Sequence, residues 1–345
     1  MFVGRCSRGT PATPLTCFPF DRHQSMTLIP YAYANAVVDE FHALLSTHKI
    51  NPPARSKAEN DLFSMAELLE IWRDPQGRIA QPCLIRAAAG AHDLASKVLC
   101  ARGLPEFPAV LPHLKLMAEA PDFSRVILMD KGDGRDDLSR KYAELYLACL
   151  AIHCGTGLRL DHPVKSKGDN PDVMLLFEGK TWALAVKTIS STQGQSVYTN
   201  IAGAAEQIER SSAAAGLVVI NAKNVIPHDT IWNKNYGNLD EAVADLNAVA
   251  REICTNASAN RPDKEWQDVF QSKATVAPVL FILQSVARIH LSPGLVSTPI
   301  KVIACDPFGR SLDDDAMKLA ESLNMVAASL LGSTPPAHLR PTGSG

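Results

Sequence analysis

Three side chains stand where ordinary packing does not favour them. Residues 142–152, YAELYLACLAI, read as a helix that is apolar nearly all round, and its one charge is Glu144. A helix of that composition is buried. A buried carboxylate is costly unless it is ion-paired, hydrogen-bonded or bound to a metal. Arg140 and Lys141 offer the ion pair, so Glu144 is either a salt-bridge partner or a metal ligand. Asp172 closes the run Gly168-Asp169-Asn170-Pro171-Asp172 and leads straight into an apolar strand. Lys187 lies in the next strand. Alternation puts Trp182, Leu184 and Val186 on one face, and Thr181, Ala183, Ala185 and Lys187 on the other. A lysine among small side chains is either a guard against edge pairing or a residue with chemistry to do.

These residues need elements to hold them. Hydrophobic periodicity predicts helices over 34–45, 58–72 and 84–99, in a helical N-terminal region covering 27–125. Pro105, Pro108, Pro112 and Pro121 break its last part into short pieces. Beyond residue 126 the pattern changes. A helix is expected over 139–152. Strands follow over 173–177 and 181–189, around a tight turn at Glu178-Gly179-Lys180. A helix over 201–215 would end at Gly216 as its cap. Next come a buried strand over 217–221, a helix over 239–254, strands over 276–284 and 300–305, and a helix over 313–331. This order predicts an α/β fold, a mixed sheet with helices on its faces.

In this setting the chain resembles the PD-(D/E)xK nuclease superfamily, the restriction-endonuclease-like fold. The pattern is a helix with a Glu, a strand opening with Pro-Asp, a hairpin partner strand bearing (Asp/Glu)-x-Lys, and a following helix with a Gln. Here it runs Glu144, Pro171-Asp172, Ala185-Val186-Lys187 and Gln207, within about residues 139–225. The resemblance implies a restriction-endonuclease-like domain over 126–331 and a metal-dependent endonuclease acting on DNA. It implies Mg²⁺ or Mn²⁺ as cofactor, with Asp172 the central ligand and Glu144 a second one. A hard cation activates water and clamps the developing charge. Lys187 would orient the water and offset that charge. Gln207 would bond the water or a phosphate. Lys165, Lys167 and Arg210 are the expected nucleic-acid contacts, among basic residues that also include Arg159, Lys180 and Lys223. Asp161, Asp169 and Glu178 are interleaved, so a plain solvated surface is the competing reading.

One position departs from the pattern. Ala185 stands where the family has an acid. Three readings stay open: an alanine introduced in place of a glutamate, an acid that has moved to Glu206 or Glu209, or a derivative that keeps the fold without catalysis. The last would be a nucleic-acid-binding or scaffold protein. A structural α/β module with a coincidental motif is a further alternative. The setting implied for an active form is defence, restriction or a toxin effector, in the cytoplasm or delivered into a target cell. An immunity or other partner protein and a homodimer are compatible with it.

Composition narrows the alternatives. The chain has 345 residues, 46% hydrophobic and 20% charged, which suits a soluble protein with a real core. The longest apolar run, near 276–283, is far short of the roughly 20 residues a bilayer needs, so no membrane role is expected. A net charge of -2 leaves no global field to attract nucleic acid, so a phosphate-binding surface must be local. The eight cysteines contain no CxxC pair, and reduced thiols are expected. His153 and His162 lack metal-ligand spacing. No P-loop, GxGxxG or G-x-S-x-G signature is present. Residues 1–26 and 332–345 are expected to be a disordered leader and tail.

Overall fold

The computed structural model describes residues 16–17, 31–74, 79–123, 137–165, 170–259, 261–270, 274–291 and 294–328. The expected leader and tail lie outside these residues, apart from the two-residue strand β1 (Thr16–Cys17). Helices α1 (Tyr31–Thr47), α2 (Lys57–Arg73), α3 (Pro82–Ala101) and α4 (Leu111–Glu119) come first. Then follow α5 (Asp137–Ala151), β2 (Thr156–Leu160), β3 (Val173–Phe177), β4 (Lys180–Thr188), α6 (Gly194–Arg210) and β5 (Ala215–Asn221). The remaining elements are α7 (His228–Asn233), β6 (Asn235–Tyr236), α8 (Leu239–Ser258), α9 (Asp263–Phe270), β7 (Val279–Leu291), β8 (Gly294–Asp306) and α10 (Asp314–Ala328).

The fold is α/β, with one mixed sheet flanked by helices. The strand order is β1-β8-β7-β5-β4-β3-β2, with β6 alongside β7. Strands β2, β3 and β4 form an antiparallel meander. Phe177 pairs with Lys180 across a two-residue turn. Glu178 and Gly179 both have positive φ, 49° and 73°, as a turn matched to strand twist requires. Strand β5 runs parallel to β4, so the chain must cross over between them, and α6 is that crossover.

The two sheet faces have separate cores. Trp182, Leu184 and Val186 of β4 join the core of α1–α5 and α10. Ala183 and Ala185 join the core of α6, α8 and α9. The helical N-terminal region therefore shares one continuous core with α5 and the sheet.

Four readings of the sequence are corrected. Strand β2 was not foreseen. Its Gly157 has φ 63°, and the β2–β3 register shifts between Thr156 and Arg159, so no clean alternation marks it. Helix α6 starts at Gly194 and ends at Arg210, earlier at both ends than expected. Gly216 is not a helix cap but lies inside β5. A Cβ there would sit 2.5 Å from Ile208 Cγ2 and 2.8 Å from the Ala183 carbonyl oxygen, so its missing side chain lets α6 lie close on β4 and β5. Strands β7 and β8 are 13 residues each, a longer hairpin than the pattern suggested. Among the described residues, no helix is long and apolar enough to cross a membrane.

Candidate active site

The site forms where β3 and β4 meet near the end of β4. Val173 pairs with Leu184, so one further step of the register sets Asp172 beside Ala185. Asp172 is buried, and its Oδ2 accepts a 2.6 Å hydrogen bond from the Val186 backbone N–H. This bond fixes the carboxyl to the strand that carries Ala185 and Lys187. Lys187 is half-buried, and its Nζ donates to Gln207 Oε1 at 2.6 Å. Gln207 is buried on α6, whose closeness to the sheet depends on Ala183, Ala185 and Gly216 being small. Four expected residues, Asp172, Ala185, Lys187 and Gln207, are thus assembled from three elements.

Glu144 arrives differently. Its helix α5 packs on the face of Trp182, Leu184 and Val186, whereas α6 packs on the face of Ala183 and Ala185. The site is thus approached from both faces of the sheet. Glu144 is buried, and Lys141 Nζ lies 2.8 Å from each of its carboxylate oxygens. The fully buried His113 of α4 adds a 3.1 Å contact from Nε2 to Glu144 Oε2. In this structure Lys141 is therefore an ion-pair partner of Glu144. His113 went unnoticed in the sequence, because it lies 31 residues upstream in the proline-broken segment.

The electrostatics follow from these contacts. Burial pushes the Asp172 carboxyl up to about 7, and the negative charge of Glu144 adds to the rise. Burial would also raise Glu144, but the His113 hydrogen bond and the Lys141 ammonium outweigh it and hold Glu144 below the usual carboxylate range. Burial lowers Lys187, and the nearby Asp172 charge opposes that fall. Arg140, Glu144 and Lys141 also lie close enough for Lys187 to feel their charges.

The donors present can be tested against a divalent cation. Such an ion takes several oxygen ligands. One Asp172 oxygen is committed to Val186, and both Glu144 oxygens are engaged by Lys141. Ala185 contributes a methyl group enclosed in the apolar core. Among the described residues, no group of three or more His, Cys, Asp or Glu side chains is placed to hold a metal. Among the described residues, the cluster therefore offers one carboxylate fewer than the resemblance implies.

The remaining expected residues lie outside this cluster or outside the described chain. Arg210 is exposed, one turn beyond Gln207, and pairs with Glu206 at 3.1 Å. Lys165 is exposed in the turn after β2. Lys167 lies outside the described residues. The two residues considered for a displaced acid have other contacts. Glu206 is exposed and holds Arg210, and Glu209 accepts from Thr275 Oγ1 and the Thr275 N–H, both at 2.7 Å. At the end of β5, the buried Lys223 places its ammonium 5.6 Å from the centroid of the Tyr142 ring. Asn221 donates to Thr188 Oγ1 at 3.2 Å and ties the ends of β4 and β5 together. Cys83, Cys100, Cys149, Cys154, Cys254 and Cys305 are free thiols. Comparison with protein-family models, curated proteins and solved structures returns no match.

Proposed function

We propose that this chain is a restriction-endonuclease-like nuclease domain whose phosphodiester-hydrolysis site lacks one acid, at position 185. The single observation that carries this reading is the alignment of Asp172, Ala185, Lys187 and Gln207, with the Lys187–Gln207 bond at 2.6 Å. A lysine at that place in a core strand requires a partner, and its partner is the glutamine that the resemblance implies. The order of α5, the β2–β3–β4 meander, α6 and the parallel β5 supports the same reading. In such a site Lys187 offers an ammonium to a phosphoryl oxygen, and Gln207 holds that ammonium in place. The N–H of Val186 fixes Asp172 beside it.

The test is a nuclease assay on DNA with the parent chain, Ala185→Glu and the shorter Ala185→Asp, each with Mg²⁺ and with EDTA. The parent should be inert or at least about a hundredfold slower than the better acid variant, as loss of one transition-state contributor implies. The acid variant should cut only with Mg²⁺, should harm its expression host, and should lose both effects when Lys187→Ala is added. Two folded acid variants that both fail to cut would remove the nuclease reading. Cleavage by the parent that Glu206→Ala or Glu209→Ala abolishes would instead show that the acid has moved.

A further inference from the structure

The ion pair on α5 bears on what the site must draw from solution. A carboxylate taken out of water needs a cation, either from the chain or from the medium. Glu144 is only 4% exposed, and Lys141, one turn earlier on α5, sets its Nζ 2.8 Å from each carboxylate oxygen. An ammonium equidistant from the two oxygens takes the place that a chelated divalent cation would need. His113 of α4, itself fully buried, contacts Oε2 at 3.1 Å and occupies a further approach to that oxygen. Side chains three apart share a helix face, so α5 itself keeps the ammonium at the carboxylate whatever the medium contains. The pair also reaches the rest of the cluster. The charges of Glu144 and Lys141 both act on Lys187, and that of Glu144 acts on Asp172. A divalent ion on either Glu144 oxygen would stand beside the ammonium, and like charges that close repel.

We infer that Lys141 is a built-in cation of this site: its ammonium holds the place at Glu144 that the resemblance gives to Mg²⁺ or Mn²⁺, and Glu144 takes no metal while Lys141 is present. The inference rests on the nuclease-domain reading only for the expectation of a metal there, whereas the ion pair is a property of α5 itself. An acid restored at 185 would then build, with Asp172, a site for one divalent ion and not for two.

Mn²⁺ is the probe, and urea unfolding of the full chain with and without it is the measurement. Lys141→Met keeps an apolar stem on the helix and removes the charge. Its buried carboxylate must then draw a cation from solution, so Mn²⁺ should stabilise this variant. At about ten times its dissociation constant, a bound ion shifts the folding equilibrium by about tenfold. If Lys141→Met is too weak to fold alone, adding Mn²⁺ should fold it. Lys141→Met combined with Glu144→Gln has no carboxylate to match, and it should respond to Mn²⁺ no more than the parent does. Lys141→Arg keeps a cation on the helix and should likewise respond no more than the parent.

Four results would overturn the inference: a Lys141→Met chain that Mn²⁺ helps no more than the parent, a response that survives the added Glu144→Gln, a Lys141→Arg chain that responds as Lys141→Met does, or Mn²⁺ binding by the parent that the Lys141→Met, Glu144→Gln pair abolishes. The nuclease reading is decided separately. If an acid variant at 185 cuts with Mg²⁺ but Mn²⁺ does nothing for Lys141→Met, the nuclease reading stands and this inference falls. If Mn²⁺ rescues Lys141→Met while both acid variants are inert, the reverse holds.

Discussion

At residue 144 a buried carboxylate is kept charged by two side chains from different helices. Lys141 supplies the charge, and His113 supplies a contact at 3.1 Å from a fully buried position. Removing either leaves a buried anion short of a partner. Lys141→Ala should destabilise the fold by about 3 kcal/mol, the cost of breaking a buried pair. His113→Ala should cost about 1–3 kcal/mol. Urea titration of each variant checks these values, and Glu144→Gln combined with Lys141→Ala should recover part of the loss, because no unpaired charge is left. Residues at this scale were partly legible in the sequence. Glu144 and Lys187 stood out because polar groups on apolar elements must be satisfied, whereas Gln207 was reached only through the resemblance. His113 did not stand out, because its role depends on α4 packing against α5, a contact that no local pattern encodes.

At the scale of elements, the reach of Gln207 depends on how closely α6 lies on the sheet. Gly216 sets that distance, since a methyl group there would collide with Ile208 and with the Ala183 carbonyl. Gly216→Ala should cost about 1–3 kcal/mol, as overpacking does. It should also weaken any function that needs the Lys187–Gln207 bond. Chemical denaturation measures the first effect, and DNA cleavage by the folded fraction in the Ala185→Glu background measures the second. The sequence showed β3, β4 and β5 well, because apolar runs between turn residues are strong strand signals. It misplaced α6 because the alanine-rich stretch after Arg210 reads as helix, whereas the chain is already turning back there. Ser211 accepts from Ala213 N at 3.1 Å, and the Ala214 N–H is bonded to the Thr181 carbonyl. Strand β2 escaped notice because its positive-φ glycine and shifted register erase the alternation that would reveal it.

For the whole molecule, a buried polar cluster joins the N-terminal helices to β8 and α10 on the same face of the sheet. Lys97 of α3 donates to the Val326 carbonyl at 2.8 Å, near the end of α10. Lys301 of β8 bonds Asp93 Oδ1 and the Ala327 carbonyl, each at 2.7 Å, and Tyr146 donates to Asp93 Oδ2 at 2.9 Å. Burial lowers Lys97 to about 7, with Lys301 adding to the fall and Asp93 opposing it. In the unfolded chain Lys97 keeps a proton up to about 10.5. Between these values the unfolded state binds more protons, so stability should rise with pH from about 7 upward, by up to about 1.4 kcal/mol per unit. Lys97→Met should flatten that slope in urea titrations at pH 7, 8 and 9. The same packing bears on how the chain can be divided. Helix α5 is apolar nearly all round, and α1–α4 cover the side that the sheet does not. A fragment starting at residue 126 would take Asp93 from Tyr146 and His113 from Glu144, and would turn part of that core towards water. The helical region is therefore not an exchangeable cassette, and a graft of the site onto another protein would have to carry both parts together.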